Sequence, residues 1–241
     1  MLEGGAMYRH NVRTILRDSV IERVPPSIMR HVMPAIPSAS PFIPAILETR
    51  TIFVHVPKAA GTSVKTEFYG RPGGGHRRII EFAAHDPGRT DAFFKFSFVR
   101  NPWDRLLSAH AYLTDGRKAT GRDRRFAREV LALHPGFEAF VLALEDPGFR
   151  CQVMTYDHFR TQAYWICMPG ARDHAMDFLG RFERFDEDME TLRHRLGRVS
   201  RLDVRARPSD HPPYRDAYSV RMRDIAGDIY ARDAALFGYA F

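Results

Sequence analysis

The run TIFVHVPKAAGTSVKTEF, residues 51–68, constrains the fold of this chain more than any other stretch. Its first part is short and mostly β-branched or aromatic, which is typical of a buried strand in a parallel sheet. A loop of small residues with one lysine, Lys58, follows, and GTSVKTEFY then opens a predicted helix with Thr62 or Ser63 as its cap. Such a unit is either an ordinary connection or a pocket for a phosphate or sulfate group, because backbone amides and the positive end of the helix dipole point at the loop.

The residue types in this loop are those that bind anions. Gly61 lets the backbone come close to a ligand, Thr62 and Ser63 offer hydroxyl donors, and Lys58 adds a mobile positive charge. The loop is not a Walker A motif, because its lysine precedes the glycine and the first glycine of that motif is missing. A nucleoside triphosphatase is therefore disfavoured.

The run FFKFSFVRNPWDRLLSAHAYL, residues 93–113, repeats this geometry. Arg100 stands where the predicted strand ends, Asn101 supplies a helix cap, and Ser108 lies on the following helix. Arg100 and Ser108 could hold one phosphate together. Ligands of open α/β sheets bind at the carboxyl ends of the strands, so Lys58 and Arg100 would meet opposite ends of one doubly anionic ligand if their strands are neighbours.

Strands that alternate with helices predict a three-layer, P-loop-like α/β fold, with a central parallel sheet flanked by helices. Residues 1–48 contain many prolines and are expected to form an extended arm, and residues 49–241 a single domain. Two apolar stripes at helical spacing predict core-facing helices near the carboxyl end of the chain. Their members are Phe182, Phe185, Met189, Leu192 and Leu196 in the first stripe, and Val220, Ile225, Ile229 and Leu236 in the second.

The charge of the chain indicates an anionic partner. The formal net charge is +7, which suits a nucleotide, an acidic sugar, a nucleic acid or a membrane surface. The two cysteines, Cys151 and Cys167, are far apart in the sequence, so a reducing compartment is expected. No apolar run reaches the length of about 18 residues that spans a bilayer, and no signal pattern begins the chain, so we expect a cytoplasmic protein.

Together, the two anion motifs resemble those of a known family. FVHVPKAAGTSV is similar to the 5′-phosphosulfate loop of sulfotransferases, and FVRNPWDRLLSA is similar to their 3′-phosphate motif. The resemblance is closest to the carbohydrate-type, family 2-like sulfotransferases, whose members include the heparan and chondroitin enzymes and soluble bacterial relatives. It covers residues 51–239 and continues in HFRTQ, GRFERFDEDM and YRDAYSVRMRDIAGDIYARDAALFGY.

The resemblance implies the donor 3′-phosphoadenosine 5′-phosphosulfate (PAPS), the product 3′,5′-ADP, and no metal. By similarity, Lys58, Gly61, Thr62 and Ser63 hold the 5′-phosphosulfate, and Arg100 and Ser108 hold the 3′-phosphate. Transfer of the sulfuryl group should be in line through a loose transition state, in which Lys58 offsets the charge that builds on the bridging oxygen. Adenine contacts are expected from residues 200–215.

The acceptor hydroxyl needs a general base, and histidine suits that task near neutral pH. Among the 11 histidines, His76 follows three glycines and resembles in its placement the catalytic histidine of uronyl 2-O-type enzymes. The alternatives are His85, His158 and a glutamate, Glu67 or Glu81. His55, inside the first strand, and His110, on the helix after Arg100, are interpreted as structural.

The resemblance implies a hydroxyl-bearing glycan or glycolipid as acceptor. The basic residues Arg117, Lys118, Arg122, Arg124 and Arg125 are interpreted either as a surface for an acidic saccharide or as a solvated face. A kinase with an atypical P-loop and a non-catalytic nucleotide-binding protein are the alternatives. A nucleic-acid-binding protein is disfavoured, because aromatic residues are not interleaved with the basic runs. A homodimer is possible through the proline-containing arm.

Overall fold

A three-stranded parallel sheet forms the centre of the protein. The computed structural model describes residues 40–70, 75–117, 119–197 and 212–241. Strands β1 (Thr51–Phe53), β2 (Phe94–Val99) and β3 (Phe178–Arg181) lie in the order β1-β2-β3, with β2 in the middle. The predicted α/β class, with a parallel sheet flanked by helices, is confirmed.

The helices fill the connections between the strands and the chain that follows β3. Helix α1 (Pro44–Thr49) precedes β1, and the others are α2 (Gly61–Tyr69), α3 (Ile79–His85), α4 (Pro87–Ala92), α5 (Pro102–Asp115), α6 (Gly121–Glu129), α7 (Phe137–Ala143), α8 (Pro147–Met154), α9 (Ala163–Ile166), α10 (Phe185–Arg195), α11 (Val220–Ile229) and α12 (Ala231–Phe237). Short 3₁₀ turns lie at Leu131–Leu133, Phe182–Arg184 and Tyr214–Ala217. The helices of the β1–β2 connection precede the second anion motif, whose later residues, including Ser108, lie on α5.

Strand β1 is shorter than the sequence predicts. Regular pairing ends at Phe53 instead of residue 56, but the Val54 amide still donates to the carbonyl of Phe96 at 3.0 Å. The hydroxyl of Ser97 donates to the carbonyl of Val54 at 2.6 Å, so a side chain takes over from the backbone ladder. The chain therefore leaves the sheet early and turns towards the loop that carries Lys58.

One predicted helix cap is confirmed and one is wrong. The side chain of Asn101 accepts hydrogen bonds from the amides of Trp103 and Asp104, so α5 begins as predicted. Helix α2, in contrast, is not capped by Thr62 or Ser63, because it begins at Gly61, two residues before a helix capped by Thr62 would begin. Its N-cap is Ala60 in a left-handed conformation, with no side-chain hydrogen bond to the first turn. The amides of that turn face the loop without a side-chain cap.

Two hydrophobic clusters hold the layers together. The first covers the sheet and includes Phe96, Phe98 and Met189, and the second packs around α5 and includes Phe140 and Phe159. Aromatic rings dominate both clusters, and such rings bury large apolar areas per residue. Because the sheet is small, much of the apolar burial lies in the helical layer beside it.

The two predicted stripes have different outcomes. In the first, Phe185, Met189 and Leu192 are buried on α10, while Phe182 and Leu196 lie at its ends and are only partly buried. In the second, Val220 is 67% exposed, and the predicted single helix is two helices. Ser219 caps α11 through the amide of Met222, Val220 is the first residue of this helix, and Met222 and Ala226 are its buried residues instead.

The start of the described chain is helical where an extended arm was predicted. Pro44 occupies the first turn of α1, a position that lacks an intrahelical amide partner and therefore tolerates proline. Phe42 and Ile46 are buried in the cluster that covers the sheet. Residues 1–39 lie outside the described part, and the division of the chain into arm and domain stays a prediction.

Within the described ranges, no helix combines the length and the apolar character that crossing a membrane requires.

Candidate active site

The loop after β1 is a tight turn with unusual backbone angles. Lys58 and Ala60 both have left-handed conformations, with φ of 68° and 62°. A non-glycine residue in this region is disfavoured by about 1 kcal/mol or more, so the surrounding contacts must hold the loop. Two guanidinium groups supply these contacts, because Arg100 donates to the carbonyl of Lys58 at 3.3 Å and Arg105 to that of Pro57 at 3.4 Å.

Gly61 is required by the close approach of a side chain. A Cβ atom at this position would lie 1.8 Å from Cδ2 and 1.9 Å from Nε2 of His55. The imidazole of His55 is therefore packed directly on the start of α2. The sequence predicts that Gly61 admits a ligand, and the structure adds that it also admits His55.

Lys58 lies over an aromatic ring at the edge of this loop. Its ammonium nitrogen is 4.2 Å from the centre of the Tyr112 ring, a distance typical of a cation–π contact. Tyr112 belongs to α5, the helix that follows Arg100. The first anion motif is thus packed on the helix of the second.

Arg100 is held from three sides at the end of β2. Its Nε lies 2.6 Å from Oδ2 of Asp104, and its guanidinium stacks on Phe182 at 4.0 Å. Its amide donates to Oε1 of Gln162, while Nε2 of Gln162 donates to its carbonyl. Ser108 is buried in the second turn of α5. The contact of Arg100 and Ser108 with a phosphate stays a prediction.

Three histidines meet beside the lysine loop. The ring centres of His55 and His76 are 4.4 Å apart, and those of His76 and His158 are 5.9 Å apart. The indole of Trp165 lies 5.6 Å from His76. The sequence motifs name His76 and His158 as alternatives for the base, whereas the structure brings both to one place.

The backbone fixes the proton of His76. Its Nδ1 lies 3.3 Å from the carbonyl oxygen of His55, which can only accept a hydrogen bond. In the neutral ring the proton is therefore on Nδ1, and Nε2 carries the free electron pair. Burial, and then the neighbouring His158, lower the pKa of His76 to about 4, so the ring is neutral at pH 7.

Asp123 is a buried carboxylate beside His158 that the sequence does not predict. Nε2 of His158 lies 3.4 Å from Oδ1 of Asp123. Most of the basic residues that the sequence suggests as a saccharide surface or a solvated face lie on helix α6, and Asp123 lies on the inner face of this helix. The signal in the sequence is the spacing of Thr120 and Asp123, which form a reciprocal capping box at the start of α6.

The remaining candidates for the base lie elsewhere or are engaged. His85 contacts Phe42, which also contacts Phe93 at the amino end of β2, so this histidine lies at the opposite edge of the sheet. Glu67 forms a two-fold ion pair with Arg193, at 2.6 and 3.0 Å. Glu81 pairs with an arginine one turn away on the chain, at 3.2 Å. His110 packs between aromatic rings, in agreement with a structural role.

The basic residues around α6 are partly neutralised. Arg122 lies 3.4 Å from Asp157, Arg125 lies 2.9 Å from Glu129, and Arg124 donates to the carbonyl of Ala119. Lys118 and residues 200–211 of the predicted adenine region lie outside the described part. Among the described residues, no group of histidine, cysteine and carboxylate side chains is arranged to hold a metal ion.

A parallel α/β sheet with two neighbouring basic strand ends is the arrangement expected of a sulfotransferase. A model of the sulfotransferase family matches residues 48–240, so the chain belongs to that family. Carbohydrate sulfotransferase 11 of Rattus norvegicus and that of Mus musculus are each 29% identical over 114 residues, which cover 42% of this chain and 32% of the relative. The chain thus spans about a third of the length of these curated relatives. No solved structure matches.

Proposed function

We propose that the protein is a PAPS-dependent sulfotransferase that moves a sulfuryl group to a hydroxyl of a carbohydrate. The observation that carries this proposal is the contact of Arg100 with the Lys58 loop at 3.3 Å. It joins the ends of two neighbouring parallel strands, where ligands of α/β sheets bind. One nucleotide with charges at two separated positions suits such a pair of basic strand ends.

The donor would be held by the residues that the two motifs supply. Lys58, Gly61, Thr62 and Ser63 would bind the 5′-phosphosulfate at the start of α2. The absence of a side-chain cap on α2 supports this assignment, because its first-turn amides face the loop. Arg100, oriented by Asp104 through Nε, would bind the 3′-phosphate together with Ser108.

His76 would take the proton of the acceptor hydroxyl at Nε2, since Nδ1 is directed at the carbonyl of His55. The hydroxyl oxygen forms a bond to sulfur as the bond from sulfur to the bridging phosphate oxygen breaks. Lys58 would stabilise the negative charge on that departing oxygen. The site thus works by positioning and by charge, with no step that needs a metal.

The acceptor class rests on the relatives. Both curated relatives are carbohydrate sulfotransferases, which supports a glycan or glycolipid acceptor for this chain. The cytoplasmic location, the independence of metals and the homodimer stay predictions.

The test is transfer of radiolabelled sulfate from PAPS to a panel of sugars, glycolipids and acidic glycans. We expect transfer by the parent, loss of about 100-fold or more in kcat for His76→Ala, and full activity for His85→Ala, whose side chain lies at the other edge of the sheet. Binding of 3′,5′-ADP should be the same in all three. Binding of ATP in preference to PAPS would favour a kinase, and binding of PAPS without transfer to any acceptor would favour a silent nucleotide-binding protein.

A further inference from the structure

One buried carboxylate contacts both sides of the proposed reaction site. Oδ1 of Asp123 accepts from the hydroxyl of Tyr156 at 2.5 Å and lies 3.4 Å from Nε2 of His158. Oδ2 accepts from the hydroxyl of Tyr112 at 3.2 Å, and from the amide and hydroxyl of Thr120 at 2.9 and 2.8 Å. Asp123 is thus surrounded by donors from α5, from the cap of α6 and from the chain after α8.

These donors keep Asp123 charged although it is buried. Burial alone would raise the pKa of the carboxyl. The contacts with His158, Tyr156 and Thr120 outweigh burial and hold the pKa well below its usual value. Asp123 is therefore an acceptor only, and each group that contacts it must donate.

The first consequence concerns the tautomer of His158. Because Oδ1 accepts, the neutral ring carries its proton on Nε2, and Nδ1 is left with a bare electron pair. Nδ1 of His158 is buried and has no hydrogen-bond partner in the structure. The carboxylate is thus the polar contact that orients this ring beside His76.

The second consequence concerns Lys58. The hydroxyl that Tyr112 donates to Asp123 lies on the same ring that carries the Lys58 ammonium at 4.2 Å. Rotation of Tyr112 away from Asp123 would remove the surface on which the ammonium lies. Asp123 therefore contacts Tyr112, which lies beneath Lys58 of the donor site, and also His158, which lies beside the proposed base His76.

We propose that Asp123 is a positioning residue for sulfuryl transfer: it holds His158 in the Nε2-protonated tautomer against His76, and holds Tyr112 beneath Lys58. The catalytic meaning of this arrangement rests on the proposed function. The tautomer itself does not, since it is a property of the free protein. The two can be tested separately.

The first experiment measures the histidine tautomers by NMR of the full chain labelled with ¹⁵N-histidine, at pH 7. His158→Gln identifies the signal of His158. We expect a proton on Nε2 in the parent and a mixture of tautomers in Asp123→Asn, whose amide can donate as well as accept. Glu145→Gln, which removes a surface carboxylate paired with Arg221, should leave the spectrum unchanged. A proton on Nδ1 of His158 in the parent overturns the proposal without any variant.

The second experiment compares steady-state rates with PAPS. We expect kcat of Asp123→Asn to fall about tenfold or more, with affinity for 3′,5′-ADP nearly unchanged, because the backbone of the Lys58 loop and Arg100 keep their contacts. Tyr156→Phe removes one hydrogen bond to the same carboxylate but leaves His158 in place, so its loss should be much smaller. Equal rates in Asp123→Asn and parent, or equal losses in the two variants, overturn the proposal.

The outcomes separate this inference from the proposed function. A parent that transfers no sulfate contradicts the function, and the parent tautomer still decides whether Asp123 orients His158. If Asp123→Asn does not fold, the tautomer of His158 in the parent protein still tests whether Asp123 orients this ring.

Discussion

The guanidinium of Arg100 donates a hydrogen bond to the carbonyl oxygen of Lys58, at 3.3 Å. Arg100 follows β2 and Lys58 follows β1, and these strands are parallel neighbours in the sheet. The contact therefore fixes the distance between the two loops that would hold the ends of the donor. It also satisfies a carbonyl in a residue whose left-handed backbone is itself disfavoured.

Arg100→Lys tests this relationship. Lysine keeps the charge but lacks the planar fork that reaches Asp104 and the Lys58 carbonyl together. We expect affinity for 3′,5′-ADP to fall about 10- to 100-fold, as for the loss of one or two hydrogen bonds to a charged group. Isothermal titration calorimetry measures the change.

The matched control is Arg89→Lys, on α4, whose guanidinium pairs with Asp86 and is half exposed. It is the same chemical change away from the site, so affinity should stay at the parent value. Unchanged affinity in Arg100→Lys would argue against a phosphate role for this side chain.

Gly61→Ala should destabilise the protein although alanine is the better helix former. In an open helix this change adds about 1 kcal/mol of stability. Here the new Cβ would lie 1.8 Å from the ring of His55, so either the ring or the loop must move. We expect a lower Tm, measured by circular dichroism. Gly88→Ala, also in the first turn of a helix but with its nearest neighbour at 3.7 Å, should not lower it.

The same clash predicts the sign of a double-mutant cycle. His55→Ala removes the ring that occupies the space, so Gly61→Ala should cost much less stability in that background. The free energies of unfolding of both single variants and the double variant measure the coupling. Additive losses would show that Gly61 is needed for another reason.

The strand ends could be predicted from the sequence, whereas the surroundings of His76 could not. Two apolar runs that each end at a basic residue before a helix predict that Lys58 and Arg100 lie at the carboxyl ends of parallel strands, and the structure adds that these strands are neighbours. The approach of His158 to His76 depends on how the chain after α8 packs on the sheet. No local pattern contains that information.

The burial of Asp123 could not be predicted from the sequence either. In the sequence it stands among arginines, where a carboxylate is most simply interpreted as part of a solvated face. Its burial follows from the hydroxyls of Tyr112 and Tyr156, which the fold brings to it. The true start of α2, two residues before the one that a Thr62 cap would give, is hidden for a similar reason, because a left-handed Ala60 leaves no trace in residue type.

Glu67→Gln separates a structural role from a catalytic one. Glu67 on α2 and Arg193 on α10 form a two-fold ion pair, and only 6% of the glutamate side chain is exposed. Removal of its charge replaces the buried carboxylate partner of Arg193 by a neutral amide and leaves the exposed contact with Glu190, so we expect a loss of about 2 kcal/mol in the free energy of unfolding. Turnover per folded molecule should be unchanged, since the carboxylate is engaged.

Glu190→Gln is the control for this pair. Glu190 also contacts Arg193, at 2.9 Å, but its side chain is 58% exposed, so its loss should change stability little. Urea unfolding measures both variants. A loss of turnover in Glu67→Gln without loss of stability would return Glu67 to the candidates for the base.

The stability of the protein should fall below neutral pH, and His110 supplies a way to measure one part of this effect. Its ring lies between Phe137 and Phe140, its Nε2 is buried without a hydrogen-bond partner, and burial lowers its pKa to about 4. In the unfolded chain its pKa is about 6.5, so between pH 6.5 and 4 the unfolded state binds the proton and the folded state does not. The contribution of His110 is complete above pH 6.5 and is lost as the pH falls, by about 1.4 kcal/mol per unit.

We expect His110→Phe to lose about 2 kcal/mol less than the parent between pH 7.5 and pH 5, in urea unfolding at both values. Because His55, His76 and His158 titrate equally in both proteins, the difference isolates His110, and equal losses would show that its ring takes up a proton in the folded state as readily as in the unfolded chain.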